Sequence, residues 1–279
     1  MEFTKMQGAG NDFLLIDGFK YNLEEIVPKI KNLCDRRFGI GGDGVMVALP
    51  SDDCDVKMFY YNSDGSQGEM CGNGIRCFVK FVYEKGIARK EFLRIETLAG
   101  IQTAVLQVND KGIVEKIAIE IGNIKYAPKD IIVLTEGENA FNKKIEIDGK
   151  EIIFSSVFLG VPHTVVFINK EGQYDVNEIG SKMEVHQMFP KKTNVNFVFP
   201  ISRDEIKIFT WERGAGRTLA CGTGSSSSVL LGHKFGLLND KVKVIAEGGT
   251  LEVEVLEDRV KLIGGAEITF EGTVDLSQY

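Results

Sequence analysis

Short apolar runs, rich in β-branched and aromatic residues and bounded by Gly, Asn, Asp or Pro, recur along the chain and predict strands. In the first half they cover residues 13–16, 45–49, 56–61, 101–108 and 117–121; in the second, 152–158, 164–168, 196–199, 205–210, 242–245 and 251–256. A run near 268–274 predicts a final strand that returns to the first half. Helical periodicity is rarer. Ile75, Phe78, Val79 and Val82 share one helical face within 75–84, and Gly86 stops the segment. Residues 28–35 offer Pro28 for a first turn, 179–188 end before Pro190, and 226–235 end at Gly236. Many strands mixed with a few helices predict an α+β architecture. Residues 125–150 are turn-rich, have no counterpart in the first half, and read as a connection or an insertion.

Sliding the sequence on itself by 150 positions brings Phe59 onto Phe209, Cys71 onto Cys221, Gly72 onto Gly222 and Gly74 onto Gly224. The same shift lays Gly10-Asn11-Asp12-Phe13 on Gly160-Val161-Pro162-His163. The period is about one domain length and far too long for a solenoid repeat, so it predicts two homologous halves. The expected division is 1–121 joined by 266–279, carrying Cys71, and 122–265, carrying Cys221. The interface of two such halves is the natural place for a site.

Composition sets bounds on function. With 43% apolar and 26% charged residues the chain reads as an ordinary globular protein rather than a disordered one. A net charge of −7 argues against a nucleic-acid partner, which calls for a basic face. Neither an export signal nor an apolar span of bilayer length is evident, so the expectation is a cytoplasmic protein with no membrane partner. Five cysteines make an odd count and favour reduced thiols. The histidines His163, His186 and His233 are not at metal-ligand spacing and no Cys-x-x-Cys occurs, so no metal is expected. Cys34, Cys54 and Cys77 read as packing residues.

Chemistry concentrates at Cys71 and Cys221, each followed by Gly-x-Gly at a turn expected to open a helix. A thiol there feels the positive end of the helix dipole, which favours the thiolate. The glycines let backbone N–H groups approach a ligand carboxylate. A thiolate and a thiol facing one carbon from opposite sides can remove a proton from one face and return another to the opposite face. Such a scheme suits inversion of an amino acid and calls for no cofactor; no Schiff-base lysine stands out. Gly39-Ile40-Gly41-Gly42-Asp43-Gly44 has dinucleotide-loop spacing, yet a helix is expected before it and a strand after, the reverse of that context. The run Ser225 to Ser228 reads as a first helical turn of small residues that permits close packing.

Several motifs together carry a resemblance over nearly the whole chain. They are Gly8-Ala9-Gly10-Asn11-Asp12-Phe13, Asp35-Arg36-Arg37-Phe38-Gly39-Ile40-Gly41, Asn62-Ser63-Asp64-Gly65-Ser66, Glu69-Met70-Cys71-Gly72-Asn73-Gly74-Ile75-Arg76-Cys77, Pro162-His163, Thr193-Asn194-Val195, Trp211-Glu212-Arg213-Gly214-Ala215-Gly216 and Ala220-Cys221-Gly222-Thr223-Gly224. In this order the sequence resembles the diaminopimelate epimerase family, cofactor-independent enzymes of lysine and peptidoglycan precursor synthesis. The resemblance implies two pseudosymmetric domains, each a mixed sheet curled around a central helix, with the site in their cleft, and a homodimer. It implies Cys71 and Cys221 as catalytic acid and base. Gly72, Asn73, Gly74, Gly222 and Thr223 would bind the reacting carboxylate, and Asn11 the reacting end of the substrate. Asn62, Asn194 and Arg213 would meet the distal amino-carboxylate, with His163 and Glu212 near the reacting amino group or the thiols. Val161 and Gly44 depart from the Asn and Gln common in the family, which leaves a simpler amino acid such as lysine as an alternative substrate. A redox dithiol and a non-catalytic carboxylate-binding module are the remaining alternatives.

Overall fold

A computed structural model describes every residue from Met1 to Tyr279. The chain divides into two compact units, Met1–Ile119 with Gly264–Tyr279, and Glu120–Ile263. The architecture is α+β, as expected.

The first unit opens with antiparallel β1 (Glu2–Gly8) and β2 (Asn11–Asp17), joined by Ala9 and Gly10. Both turn residues have positive φ, 51° and 88°, the conformation a two-residue hairpin requires to match strand twist. Residues 28–35, expected as one helix, instead fall in a 3₁₀ turn (Val27–Lys29) and α2 (Ile30–Cys34), which follow a short α1 (Leu23–Ile26). Asn22 caps the start by accepting from the Glu24 N–H at 3.0 Å. Pro28 lacks an N–H to donate, so the α-helical ladder breaks there although Val27 before it keeps right-handed helical geometry.

A parallel pairing of β3 (Gly44–Leu49) with β2 follows, then β4 (Val56–Asn62) antiparallel to β3, and the short β5 (Gln67–Gly68) against β4. The chain next forms α3 (Gly72–Glu84), returns as β6 (Phe92–Thr97) parallel to β4, and closes with antiparallel β7 (Gly100–Val108) and β8 (Val114–Ile121). In β2, Phe13 and Leu15 pack toward α3 together with Met46, Phe78 and Val79, whereas Leu14 and Ile16 pack with Ile26, Ile30 and Leu33. A sheet covered on both faces accounts for the unbroken apolar run in β2, and each fully buried large side chain contributes roughly 1.5–3 kcal/mol.

The second unit begins with β9 (Ile124–Lys125), α4 (Pro128–Ile131) and the hairpin β10 (Lys143–Ile147) to β11 (Lys150–Leu159), so the turn-rich 125–150 stretch has structure of its own. After it come β12 (Val161–Phe167), α5 (Val176–Glu184), β13 (Asn194–Pro200), β14 (Glu205–Glu212), β15 (Gly216–Thr218), α6 (Gly222–Lys234), β16 (Lys241–Ala246), β17 (Gly249–Val255) and β18 (Val260–Gly264). From β11 to β18 the order and sense of pairing repeat those from β1 to β8, including parallel β12/β13 and β14/β16. Pseudosymmetry read from spacing is thus present as repeated topology.

Each unit curls its sheet around one helix. The helix α3 packs on β1, β2 and β3, while α6 packs on β11, β12, β13 and β17. In α6, Ser225 to Ser228 are all fully buried, consistent with small side chains chosen for close approach. The last strand, β19 (Glu267–Thr273), pairs antiparallel with β1. No helix is long and apolar enough to cross a membrane.

Candidate active site

Both helices begin where the cysteines stand. Cys71 is the N-cap of α3 and Cys221 that of α6, with extended backbones at φ −134° and −119°. Their carbonyls accept the first helical bonds, from Ile75 N at 2.8 Å and Ser225 N at 2.9 Å. The N–H groups of the first turn, on Gly72-Asn73-Gly74 and Gly222-Thr223-Gly224, lie ahead of the helix ladder, and a helix terminus of this kind is suited to an anion.

The Cys221 side departs from the sequence expectation of a lowered thiol pKa. Cys221 is 6% exposed. Burial pushes its thiol well up, and the negative charge of Glu212 and a hydrogen bond to it add to the rise; the Thr223 hydroxyl and Gly224 N–H pull the other way without prevailing. The dipole of one helix is outweighed by desolvation of the charged form and by a neighbouring carboxylate. Cys221 is held as the thiol.

Four strand and helix residues form a hydrogen-bonded chain to this sulfur. His163 on β12 is fully buried, with Nε2 2.9 Å from Thr223 Oγ1 and Nδ1 3.3 Å from the Asn196 amide nitrogen. Burial, and then the positive charge of Arg213, lowers its pKa from 6.5 to about 3, so the ring is neutral. Asn196 accepts from the Thr210 hydroxyl at 3.1 Å through Oδ1 and donates from Nδ2 to Thr164 O at 3.3 Å. That orientation turns the Asn196 N–H toward Nδ1, which assigns the ring proton to Nε2. His163 then donates to Thr223, whose own hydroxyl proton is left for Cys221 Sγ at 3.5 Å. Asn196 and Thr210 were not singled out by the sequence. Residues two apart on a strand share a face, so Asn196 after Asn194 and Thr210 before Glu212 were the available signals.

Arg213 lies in a fixed loop. The Glu184 carboxylate of α5 accepts from Trp211 Nε1 at 2.7 Å and from Gly214 N at 3.1 Å, and it pairs with Lys192 at 3.2 Å. Arg213 N donates to Asn194 Oδ1 at 2.9 Å, and Asn194 Nδ2 donates to Pro162 O at 2.9 Å. The second unit therefore gathers His163, Asn194, Glu212, Arg213, Cys221, Gly222 and Thr223.

The first unit holds Asn11, Asn62, Cys71, Gly72, Asn73 and Gly74. Asn73 Nδ2 donates to Asn11 Oδ1 at 2.6 Å, and Asn11 Nδ2 donates to Asp43 Oδ2 at 3.1 Å. Asp43 is tied at 2.8 Å to Arg36, which also forks onto Asp12 at 2.9 and 2.6 Å, and Lys5 meets Asp12 at 2.8 Å. Burial raises the Asp12 pKa, but Arg36 and Lys5 more than offset it and hold the carboxyl ionised. Asn62 accepts from the Tyr60 hydroxyl at 2.7 Å and donates to Ser66 Oγ at 3.0 Å. Gly44 has no room for a side chain: an added Cβ would collide with the Tyr61 carbonyl oxygen and lie 2.8 Å from the Tyr60 ring. No group of three His, Cys, Asp or Glu side chains gathers as a metal-ligand set.

The fold is shared with a hydroxyproline epimerase from Agrobacterium vitis, which matches over 98% of this chain and 91% of that chain with TM-score 0.72 at 14% identity. The diaminopimelate epimerase family model matches residues 3–126 and 155–269, leaving out the segment that holds α4 and the first hairpin strand. The diaminopimelate epimerase of Clostridium perfringens is 43% identical across 98% of this chain and 99% of its own length. That of Alkaliphilus metalliredigens is 44% identical across 91% and 90%. The chain belongs to the diaminopimelate epimerase family.

Proposed function

We propose that this protein is an isomerase that interconverts LL- and meso-diaminopimelate by proton transfer at the α-carbon, with Cys71 and Cys221 as the two acid/base groups. The observation that carries the reading is the duplicated helix head, a cysteine at the N-cap followed by Gly-x-Gly in each of two units of the same topology. The α-hydrogen of an amino acid is a very weak acid, so the carbanion needs stabilisation as it forms. First-turn N–H groups aimed at the carboxylate oxygens supply it. One thiolate takes the proton; the thiol serving the other face returns one. Cys221, held protonated beside Glu212, is in the state needed to give a proton.

Around this chemistry, Gly72, Asn73, Gly74, Gly222 and Thr223 hold the reacting carboxylate and Asn11 the reacting end. Asn62, Asn194 and Arg213 receive the distal amino-carboxylate, and His163 orients Thr223. A homodimer in the cytoplasm is part of the same reading, and light scattering in solution tests the dimer.

Proton NMR of the purified protein with LL-diaminopimelate in heavy water tests the activity. Deuterium enters the α-position if the reading is right; an unlabelled substrate discards it, and faster exchange into lysine than into diaminopimelate moves the substrate assignment. Cys71→Ala and Cys221→Ala should each abolish epimerisation with circular dichroism unchanged. Full turnover by either variant removes the two-base assignment.

A further inference from the structure

Residues 39–44 have the glycine spacing of a dinucleotide loop but serve a different end in the fold. Their backbone is pinned along its length: the Gly39 N–H donates to Asp35 O at 2.9 Å, Ile40 to Leu33 O at 2.9 Å, Gly42 to Cys34 O at 3.1 Å and Asp43 to Asp12 O at 2.7 Å. A Cβ on Gly39 would collide with the Asn32 carbonyl oxygen, so the close turn needs that glycine. The segment thereby delivers Asp43 to a fixed place beside β2. There its carboxylate accepts through Oδ2 from Asn11 Nδ2 at 3.1 Å and from the Asp12 N–H at 3.2 Å, and through Oδ1 from Arg36 at 2.8 Å.

An asparagine amide can turn over, exchanging its donor for its acceptor, at little steric cost. Two ions prevent that here. Arg76, fully buried in α3, can only donate, and it gives one bond to Asn73 Oδ1 at 3.1 Å. Asn73 Nδ2 then faces Asn11 Oδ1 at 2.6 Å, and Asn11 Nδ2 faces Asp43, a carboxylate that can only accept. The bonds run in one direction, Arg76 to Asn73 to Asn11 to Asp43, and the donor at one end agrees with the acceptor at the other. Turning either amide over would set donor against donor and oxygen against oxygen. Of its two amide hydrogens and two oxygen lone pairs, Asn11 spends one of each on this chain. The other N–H and lone pair suit a carboxylate oxygen and an ammonium. In the register of the internal repeat Asn11 falls on Val161, whose side chain offers neither group, so the directed amide belongs to the first half alone.

Resting on the reading that Asn11 meets the reacting end of the substrate, we infer that Asp43 is a positioning residue: held by Arg36, it fixes the polarity of the Asn11 amide, so that a zwitterionic amino acid is accepted in one orientation. With the amide held, its N–H meets the carboxylate and its oxygen the ammonium. With the amide reversed, oxygen would face the carboxylate and N–H the ammonium, and both contacts would repel. Asp43 acts through Asn11 and needs no contact of its own with the substrate.

The test is calorimetric titration of diaminopimelate into the Cys71→Ala protein, which on the two-base reading binds without turnover, with Asp43 and Asn11 varied singly and together. Asp43→Ala should weaken binding about tenfold or more and Asn11→Ala at least as much, whereas adding Asp43→Ala to Asn11→Ala should change binding by less than about threefold. Asp43→Asn, nearly equal in volume, should be no milder than Asp43→Ala, because the new amide turns its oxygen to Arg36 and its nitrogen to Asn11, donor against donor. A role in loop packing alone predicts the opposite ranking and an equal loss with or without Asn11; either result overturns the proposal. Should Asp43→Ala not fold, Asp43→Asn carries the cycle with Asn11→Ala. Heteronuclear NMR of isotope-labelled, substrate-free protein gives a second readout: the Asn11 side-chain amide signal, identified by its loss in Asn11→Ala, should move and exchange faster with solvent in Asp43→Asn. An unmoved signal overturns the proposal even where diaminopimelate fails to bind, and that failure by itself sinks the substrate reading instead.

Discussion

At the scale of single residues, the second half is governed by the cost of charge in a dry place. His163 binds a proton less readily folded than unfolded, its pKa moving from 6.5 to about 3 because of burial and Arg213. A group with a depressed folded pKa contributes stability that is present above the unfolded value and lost as pH falls toward the folded one. Stability should therefore decline from about pH 6.5 downward, by a few kcal/mol at roughly 1.4 kcal/mol per unit. Urea unfolding of the wild type and His163→Gln at several pH values checks this; the variant should show a flatter decline above pH 4. Thr223 transmits the orientation of His163 to Cys221. Thr223→Val should lower kcat about tenfold or more with a smaller change in KM, and Thr223→Ser should keep most activity. Equal kcat in Val and Ser variants would remove the hydroxyl from the chain.

Elements decide which of these residues can meet. His163, Asn194, Asn196, Thr210 and Glu212 sit on three successive strands, β12, β13 and β14, whose parallel and antiparallel register brings them to one end of the sheet. The head of α6 fits there because Gly224 has no side chain: an added Cβ would collide with Asn196 Oδ1 and lie 3.2 Å from its Cγ. Asn196 is held by Thr210, Thr164 and His163, so it cannot swing aside. At the matching place in the first unit, a Cβ on Gly74 would collide with the Met46 methyl and lie 3.2 Å from Phe13 Cζ. A methionine end can rotate away. Gly224→Ala should thus cost more stability than Gly74→Ala, by about 1–2 kcal/mol, and disturb the His163 network as well. Chemical denaturation of both variants measures the difference, and equal losses would show that Asn196 yields.

For the molecule as a whole, β19 matters beyond its position at the end of the chain. It pairs with β1 from Glu2↔Thr273 to Gln7↔Glu267, and Gly265 accepts the Arg76 hydrogen bond. Val274, Leu276 and Tyr279 pack against the cluster around Ile16, Ile30 and Val45. Deleting residues 265–279 should abolish hydrogen-exchange protection in β1 and α3 while strands β13 and β14 stay protected. Uniform protection in the truncated chain would make β19 dispensable.

What the amino-acid order determined by itself is periodicity and local chemistry. Apolar runs located β2, β3, β4 and β13, the repeat of 150 positions indicated two halves of like topology, and Gly-x-Gly after each cysteine marked the helix starts. Other elements were masked. In β6, Leu93, Ile95 and Thr97 face the core, but Arg94 and Glu96 intervene; in β1, Thr4 and Lys5 are buried because Asp12 and Gly41 receive the lysine. Only tertiary structure decided the raised thiol pKa of Cys221, the tautomer of His163 and the burial of Arg76. These depend on desolvation and on partners distant in sequence, and no local pattern encodes the dryness of a place that the whole chain must fold to create.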